Sequence, residues 1–311
     1  MKYIVTGGAG FIGSHLVDAL AGAHEVVVID NFSSGKSENL DQARDRVTCI
    51  EGSIQNLPLL EAAFRDADGI FHLAAIASVA RSVDDPVATH ETNLTGTLNV
   101  LLAARDCGVK KVVFSSSSAV YGDEPTLPKR ENMPPVPLSP YAVSKLAGEY
   151  YCGVFSTLFD VKTVSLRYFN VFGPRQDPQS EYAAVIPKFI TRLLTHQAPV
   201  IFGDGKQTRD FVYVKDVVLA NLLAMQSTKA GTFNVGSGVS MDLTTLAHTL
   251  AKIMDVAIPP LYEKPRSGDI RDSVSDISSV KKILGYRARY SLDRGLGETI
   301  EWFRNKKTER N

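Results

Sequence analysis

The sequence predicts an α/β fold: a doubly wound parallel sheet carrying a smaller, discontinuous α/β domain. Three observations predict it. Short β-branched runs alternate with helix-length amphipathic stretches through the first half, as parallel βαβ units require. The length of 311 residues exceeds the ~250–300 at which one core stops growing, so a second domain is expected. After Arg167 the alternation loosens into Gly- and Pro-bearing loops, at Gly173-Pro174-Arg175, Gly203-Asp204-Gly205, Pro259-Pro260 and Pro265-Arg266-Ser267-Gly268.

Taken in order, the strands read Lys2–Thr6, Glu25–Asp30, Val47–Glu51, Gly69–Leu73, Lys111–Ser115 and Lys162–Arg167, with helices between them, notably Pro86–Arg105 and Pro140–Phe159. Six parallel strands joined by right-handed crossovers leave a ligand crevice at their carboxyl ends. Beyond them, Asp210–Val214 with a following helix and Gly231–Val235 read as returns to sheet. The expected division is therefore residues 1–167 plus about 208–236 for one domain, and about 168–207 plus 237–311 for the other.

With 44% hydrophobic and 22% charged residues the chain sits at the globular average, which excludes disordered and fibrous classes. Lys+Arg 34 balance Asp+Glu 34, and no basic stripe interleaved with aromatics occurs, so no nucleic-acid partner is expected. Cys49, Cys107 and Cys152 are odd in number and far apart, which fits reduced thiols better than a disulfide framework or a zinc site. His15, His24, His72, His90, His196 and His248 show no paired ligand spacing, so no metal is expected, and His72 at a strand end reads as a core residue. No apolar run reaches the ~20 residues of a membrane span, and Met1 leads straight into a strand, so no membrane association and a cytoplasmic location are expected.

Strand Lys2–Thr6 runs into Gly7-Gly8-Ala9-Gly10-Phe11-Ile12-Gly13 and then a helix with Ile12, Leu16 and Leu20 on one face. Gly8, Gly10 and Gly13 fit the Rossmann pattern GxGxxG in its confirming strand–turn–helix context. Glycine lets the backbone approach a pyrophosphate, whose charge meets the N–H groups of a helix start. Asp30 ends the second strand, where a carboxylate accepts from ribose hydroxyls and repels a 2′-phosphate, so NAD is expected over NADP. Lys36, in the loop that follows, opposes that preference.

Ser139-Pro140-Tyr141-Ala142-Val143-Ser144-Lys145 reads as a helix start with Ser139 as N-cap and Pro140 in the first turn. Tyr141 and Lys145 then share a face. Bringing a phenol from pH ~10 to ~7 takes ~4 kcal/mol of differential stabilisation. One ammonium ~4 Å away at an effective dielectric of ~20 supplies roughly that, with an oxidised nicotinamide adding a second charge. Tyr141 is thus expected to act as a general base, and Ser117, in the run Ser115–Ser118 that ends the fifth strand, as the partner of a substrate hydroxyl.

TGGAGFIG, Asp30-Asn31, the segment from Ser115 to Tyr121-Gly122, SPYAVSK, Leu166-Arg167-Tyr168-Phe169-Asn170 and Gly203-x-Gly-x-x-x-Arg209-Asp210 together resemble the extended short-chain dehydrogenase/reductases, and among them the UDP-sugar 4-epimerases. The resemblance spans nearly the whole chain. It implies a reversible oxidation on a bound NAD that never leaves: Tyr141 takes the proton of the sugar 4-hydroxyl as C4 passes hydride to the nicotinamide, the 4-keto sugar swings about its pyrophosphate, and hydride returns to the other face. It further implies that Lys145 holds the nicotinamide ribose and Ser117 bonds the 4-hydroxyl. Gly7, Gly10, Phe11, Ile12, Gly13, Asp30, Asn31, Ser33, Ser34 and Gly35 would bind the cofactor, with Leu73, Ala74, Ala75, Asn93, Ser115 and Tyr168. Ser53 and Ile54 would join them, although family members often have Gly-Asp-Ile where this chain has Gly52-Ser53-Ile54. Asn170, Arg209, Arg266 and Asp269 would hold the UDP group, with Val185, Ile201 and Phe202 also on the substrate. A homodimer joined through Pro86–Arg105 and Pro140–Phe159 is likewise implied.

Ser273, three before Asp276, resembles the family's gatekeeper beside the sugar 2-substituent; a Tyr there looks like a glucose/galactose enzyme, whereas Ser leaves room for an N-acetyl group. Ala77, Ser118, Gln176 and Ala184 would complete that wall. The expected substrates are UDP-N-acetylglucosamine/UDP-N-acetylgalactosamine, with UDP-glucose/UDP-galactose beside them. UDP-glucuronate is the alternative, since Arg175 can meet a carboxylate. Dehydratases and decarboxylases carry acidic residues where this chain has Ser118 and Ala119. A non-catalytic NAD-sensing protein is the reading from another class, and it leaves Ser117, Tyr141 and Lys145 without a use.

Overall fold

The computed structural model describes residues 1–178, 184–265 and 270–308. Strands β1 (Lys2–Thr6), β2 (Glu25–Asp30), β3 (Thr48–Glu51), β4 (Gly69–His72), β5 (Lys111–Ser117) and β6 (Lys162–Tyr168) alternate with helices α1 (Phe11–Leu20), α2 (Leu57–Ala63), α3 (Val79–Asp84), α4 (Pro86–His90), α5 (Gly96–Asp106) and α6 (Pro140–Leu158). Then come β7 (Asn170–Phe172), α7 (Val185–Leu194), β8 (Val200–Phe202), β9 (Thr208–Arg209), β10 (Phe211–Tyr213), α8 (Val214–Gln226) and β11 (Gly231–Val235). The chain continues through β12 (Met241–Asp242), α9 (Leu243–Met254), β13 (Leu261–Glu263), α10 (Ser278–Leu284) and α11 (Leu292–Thr308).

The main sheet is parallel, in the order β11-β6-β5-β4-β1-β2-β3. It has seven strands, one more than expected from the first half of the chain, because α8 returns Gly231–Val235 to the edge beside β6. The order reverses between β1 and β4, which opens the crevice beyond Thr6 and His72. Alternate residues of each strand enter two cores: Val5, Val28, Phe71 and Val113 pack on one face, and Ile4, Val27, Ile70 and Val112 on the other. Burial on both faces explains why these strands read as continuous apolar runs.

Pro86–Arg105, expected as one helix, is interrupted by a π-helical turn at Glu91–Thr95. A third core, in which Phe189, Ile201, Leu246, Leu250 and Leu296 meet, ties α7, α9 and α11 to β8 and β10. Asp210–Val214 reads in the structure as β10, which pairs with β7 in a small separate sheet. Among the described residues no helix is long and apolar enough to cross a membrane.

Candidate active site

The crevice is lined first by the turn between β1 and α1. Gly7 holds φ at +71°, and a Cβ there would stand 2.6 Å from the Ala74 amide nitrogen. A Cβ on Gly13 would run into the Gly7 carbonyl oxygen. Glycine alone lets the turn, the 73–75 segment and the first turn of α1 close on one another. Gly10, the N-cap of α1, supplies no side-chain cap, and no acid stands in the first turn. The leading amides, which no helix satisfies internally, are left for an anion drawn by the positive end of the helix.

The acid at the end of β2 is committed to its own loop: Asp30 Oδ2 accepts from Ala9 N and Oδ1 from Phe32 N, each at 2.9 Å. Burial pushes its carboxyl up while these amides hold it down. Lys36 N and Asn39 Nδ2 donate to the Ala9 carbonyl, strapping the 31–36 loop to the glycine turn. Asn31, Ser33 and Ser34 remain on its outer side, and Asn31 Oδ1 accepts from Ser33 N. Lys36 reaches across to Asp177 at 3.5 Å. Ser53 is half-buried with Oγ accepting from Gln55 N, whereas Ile54 turns its side chain into the core against Gly96. These features fit a dinucleotide: a cradle that a Cβ would fill, an uncapped helix start, and a fixed carboxylate one strand away.

Ser139 Oγ accepts from Ala142 N at 3.1 Å and Pro140 stands in the first turn, so α6 begins where the sequence says it should. One turn on, Lys145 is 4% exposed and donates Nζ to the Ser115 carbonyl at 2.8 Å. Its ammonium lies 5.2 Å from the Phe114 ring centre and 5.9 Å from that of Tyr141. Burial brings Lys145 down to about 8. Burial also raises the Tyr141 phenol, and a side-chain hydrogen bond with Ser117 pulls it back. In the chain by itself the Lys145 ammonium is directed at the Ser115 carbonyl, and burial is the largest influence on the Tyr141 phenol. Ser117 Oγ also accepts from Ala119 N, capping the short turn that carries half-buried Ser118.

Asn93 lies in the π-helical turn, a backbone form found at functional sites. Its Oδ1 accepts from Ile76 N at 2.7 Å, and its Nδ2 donates to the Ile76 carbonyl and to Ser144 Oγ, both at 3.1 Å. Asn93 thus clamps the Leu73–Ala77 segment onto α6, with Ala77 exposed at its end. Tyr168 carries its ring in the main core and its hydroxyl against Asn221, so its side chain faces away from the crevice.

On the substrate side, the Thr208 carbonyl accepts from Ser273 N at 3.2 Å and from Arg209 Nη1 at 2.8 Å, which brings the gatekeeper candidate beside a phosphate-binding candidate. Half-buried Asn170 donates its N–H to the Asp210 carbonyl, and Gln176 Nε2 donates to the Val171 carbonyl, so both sit around β7. Ala184 and Val185 start α7; Ile201 is fully buried in the third core, with half-buried Phe202 after it. Arg266 and Asp269 lie outside the described residues. Arg175 pairs with Asp18 of α1 at 2.7 Å, its side chain 10% exposed.

Residues 3–236 match the model of the NAD dependent epimerase/dehydratase family. The chain belongs to that family. Its cofactor is NAD. This epimerase/dehydratase is 43% identical to the UDP-glucose 4-epimerase of Mycolicibacterium smegmatis, over 98% of this chain and 99% of that one. Among solved structures it resembles the UDP-N-acetylglucosamine 4-epimerase from Methanobrevibacter ruminantium in complex with UDP-N-acetylmuramic acid, with a TM-score of 0.96, 43% identity and 98% of each chain covered. It also resembles the Thermus thermophilus UDP-glucose 4-epimerase complex with NAD, with a TM-score of 0.90 and 39% identity over 98% of this chain and 99% of that chain.

Two features of the epimerase/dehydratase site escape a reading of motifs. One is the polar thread beneath the crevice, in which buried His72 bonds Thr6 Oγ1 at 2.7 Å and Thr97 Oγ1 at 2.9 Å. Burial lowers that imidazole to about 3. The other is Glu149, which continues the Tyr141, Lys145 stripe of α6 by one more turn; the spacing of four is the signal in the sequence that points to it.

Proposed function

We propose that this chain inverts C4 of a UDP-hexose through a 4-keto intermediate, acting on UDP-N-acetylglucosamine/UDP-N-acetylgalactosamine and also on UDP-glucose/UDP-galactose. The observation that carries the reading is the buried Lys145, which donates to the Ser115 carbonyl near the end of β5 from one turn beyond Tyr141 on α6. Burying an amine is costly, and a protein that only senses NAD has no use for it. Bound NAD supplies a hydride acceptor and donor and, when oxidised, one positive charge. Ser117 orients the sugar 4-hydroxyl, Tyr141 takes its proton and later returns one to the 4-keto oxygen, and Lys145 holds the ribose and the phenol. The division into a cofactor domain, residues 1–167 with 208–236, and a sugar-nucleotide domain, 168–207 with 237–311, belongs to the same proposal.

Ser273 supports the N-acetylated substrates, because a hydroxymethyl side chain leaves the space a larger one would fill. Arg175 weighs against UDP-glucuronate: its guanidinium is neutralised by Asp18 and tucked behind α1. Exposed Val79, Val83 and Val87 of α3 and α4, with Val143, Tyr150, Val154 and Leu158 along α6, form an apolar face for a second copy of the chain. Light scattering that gives the monomer mass removes that part of the proposal.

The test is incubation with UDP-glucose, UDP-N-acetylglucosamine or UDP-glucuronate, without added cofactor, and C4 configuration read by NMR. Conversion of the N-acetylated pair is expected; turnover of the uronate alone refutes the substrate. Tyr141→Phe should lower the rate by ~10²–10⁴, and an undiminished rate removes the phenol from the mechanism. Ser273→Tyr should shift the rate ratio toward the plain sugars, and an unchanged ratio removes the gatekeeper.

A further inference from the structure

We propose that Glu149 is a positioning residue for this site: with Ser116 and Arg167 it fixes α6 against the ends of β5 and β6, and so places Tyr141 and Lys145 against Ser117. The role rests on the reading of Tyr141 and Ser117 just given. Tyr141, Lys145 and Glu149 lie at successive steps of four on one stripe of α6. Two of these three side chains grip consecutive residues of one strand: Lys145 Nζ donates to the Ser115 carbonyl at 2.8 Å, and Glu149 Oε1 accepts from Ser116 Oγ at 2.5 Å. The next residue is Ser117.

The same carboxylate takes a two-pronged grip from the neighbouring strand, with Arg167 Nε donating to Oε1 at 2.9 Å and Nη2 to Oε2 at 2.7 Å. Ser116 and Arg167 are partners in the β5–β6 register, so one carboxylate joins a helix and two strands at one level of the sheet. The side chains of Arg167 and Glu149 are 6% and 4% exposed. A buried ion pair is commonly no more stabilising than an apolar pair of equal volume. What the fork adds is direction, since parallel N–H to O bonds define both distance and orientation.

The network continues away from the helix. The Arg167 guanidinium lies 4.8 Å from the Tyr121 ring centre, Tyr121 donates its O–H to Asn234 Oδ1 at 2.6 Å, and Asn234 Nδ2 donates to the carbonyls of Lys129 and Asp276. Asp276 stands three residues from Ser273. The helix that carries Tyr141 and the segment that carries the gatekeeper candidate are therefore joined through buried polar contacts that pass through Arg167.

The experiment replaces the pair by apolar residues, Glu149→Leu with Arg167→Met, in the holoenzyme, and reads resident NAD content, thermal midpoint, kcat and KM. Expected are retained NAD and a midpoint no lower than the wild type, with KM within about threefold and kcat down by roughly 10-fold to 10²-fold, as a shift of ~1 Å at a reacting group costs. Ser116→Ala, which cuts only the link to β5 and leaves the ion pair in place, should lower kcat severalfold at unchanged KM. A kcat within about twofold of wild type in the folded double variant overturns the proposal. If the double variant does not fold, an unchanged kcat in Ser116→Ala overturns it. Failure of the underlying reading is distinguished by Tyr141→Phe, which would then retain full activity.

Discussion

Replacing Lys145 by Met separates what this amine does for function from what it costs the fold. The group stands at about 8 in the folded chain against an ordinary 10.5, because burial disfavours its charge. At about 1.4 kcal/mol for each pH unit, charging it in the folded state costs about 3 kcal/mol relative to the unfolded chain. Between about pH 8 and pH 10.5 the unfolded chain binds the extra proton at this residue, so the Lys145 contribution to stability rises with pH across that window and its penalty is complete below it. Met carries no charge and escapes the penalty, but it leaves the Ser115 carbonyl without its donor, at about 1–3 kcal/mol. The second quantity does not depend on pH, so the stability difference between Lys145→Met and wild type should move by about 2–3 kcal/mol from about pH 7 to about pH 10 in favour of wild type. Urea unfolding of both proteins freed of NAD, repeated along that range, measures it, with the titrating groups that the substitution leaves untouched cancelling in the comparison. Epimerisation should be lost at every pH. Parallel stability curves would show that burial does not lower the Lys145 amine, and would refute the argument.

Ser139→Ala removes the acceptor for Ala142 N and should cost about 1 kcal/mol of stability, with kcat lowered as the first turn of α6 frays around Tyr141; an unchanged kcat and urea midpoint would show the cap to be idle. Gly7→Ala places a methyl 2.6 Å from the Ala74 nitrogen at a backbone angle of φ +71°, so the purified variant should carry little NAD, as nucleotide extraction will reveal; full occupancy contradicts the close approach. Asp177→Asn removes the ion-pair partner of Lys36 in the 31–36 loop and should raise uptake of NADP relative to NAD by about two- to tenfold, the range of an exposed ion pair. Equal uptake in wild type and variant would mean that Asp30 alone sets the choice.

How much of this is legible in the sequence depends on whether local chemistry or tertiary packing decides a residue's role. The glycine turn is readable because much of its need is local: Gly7 takes a positive φ and Gly13 answers to the Gly7 carbonyl within one βαβ unit, whereas the close approach of Ala74 to Gly7 comes from the fold. The start of α6 is readable for the same reason, since Ser139 and Pro140 act on amides within the first turn. The split of Pro86–Arg105 is not, because its composition is helical throughout and the bonds that Asn93 makes from the π turn reach Ile76 and Ser144, which are distant in the sequence. Arg175 reads as a carboxylate partner from its neighbours in sequence, and only the fold shows that α1 brings Asp18 within 2.7 Å. Tyr168 groups with the cofactor by its motif, yet the strand's alternation sends its ring into the core.

The acid–base residues pose the sharper question. Sequence spacing suggests that an ammonium one turn away brings the phenol near neutrality. The structure puts both groups in a medium that opposes charge, so Lys145 falls toward neutral pH and Tyr141 rises. Neither displacement reflects the other; both follow from the same loss of water. Among the described residues, the group that favours the phenolate is the Ser117 hydroxyl, which can donate to it. If Tyr141 accepts a proton as proposed, oxidised NAD would add a positive charge that favours its phenolate. The dependence runs in the useful direction. Under the proposed mechanism, a nicotinamide that had taken up hydride would no longer carry that charge, burial would again favour the protonated phenol, and Tyr141 would hold a proton for the 4-keto oxygen. Under the proposed mechanism, burial of Tyr141 would thus let the redox state of the cofactor decide when the phenol gives up its proton and when it keeps it.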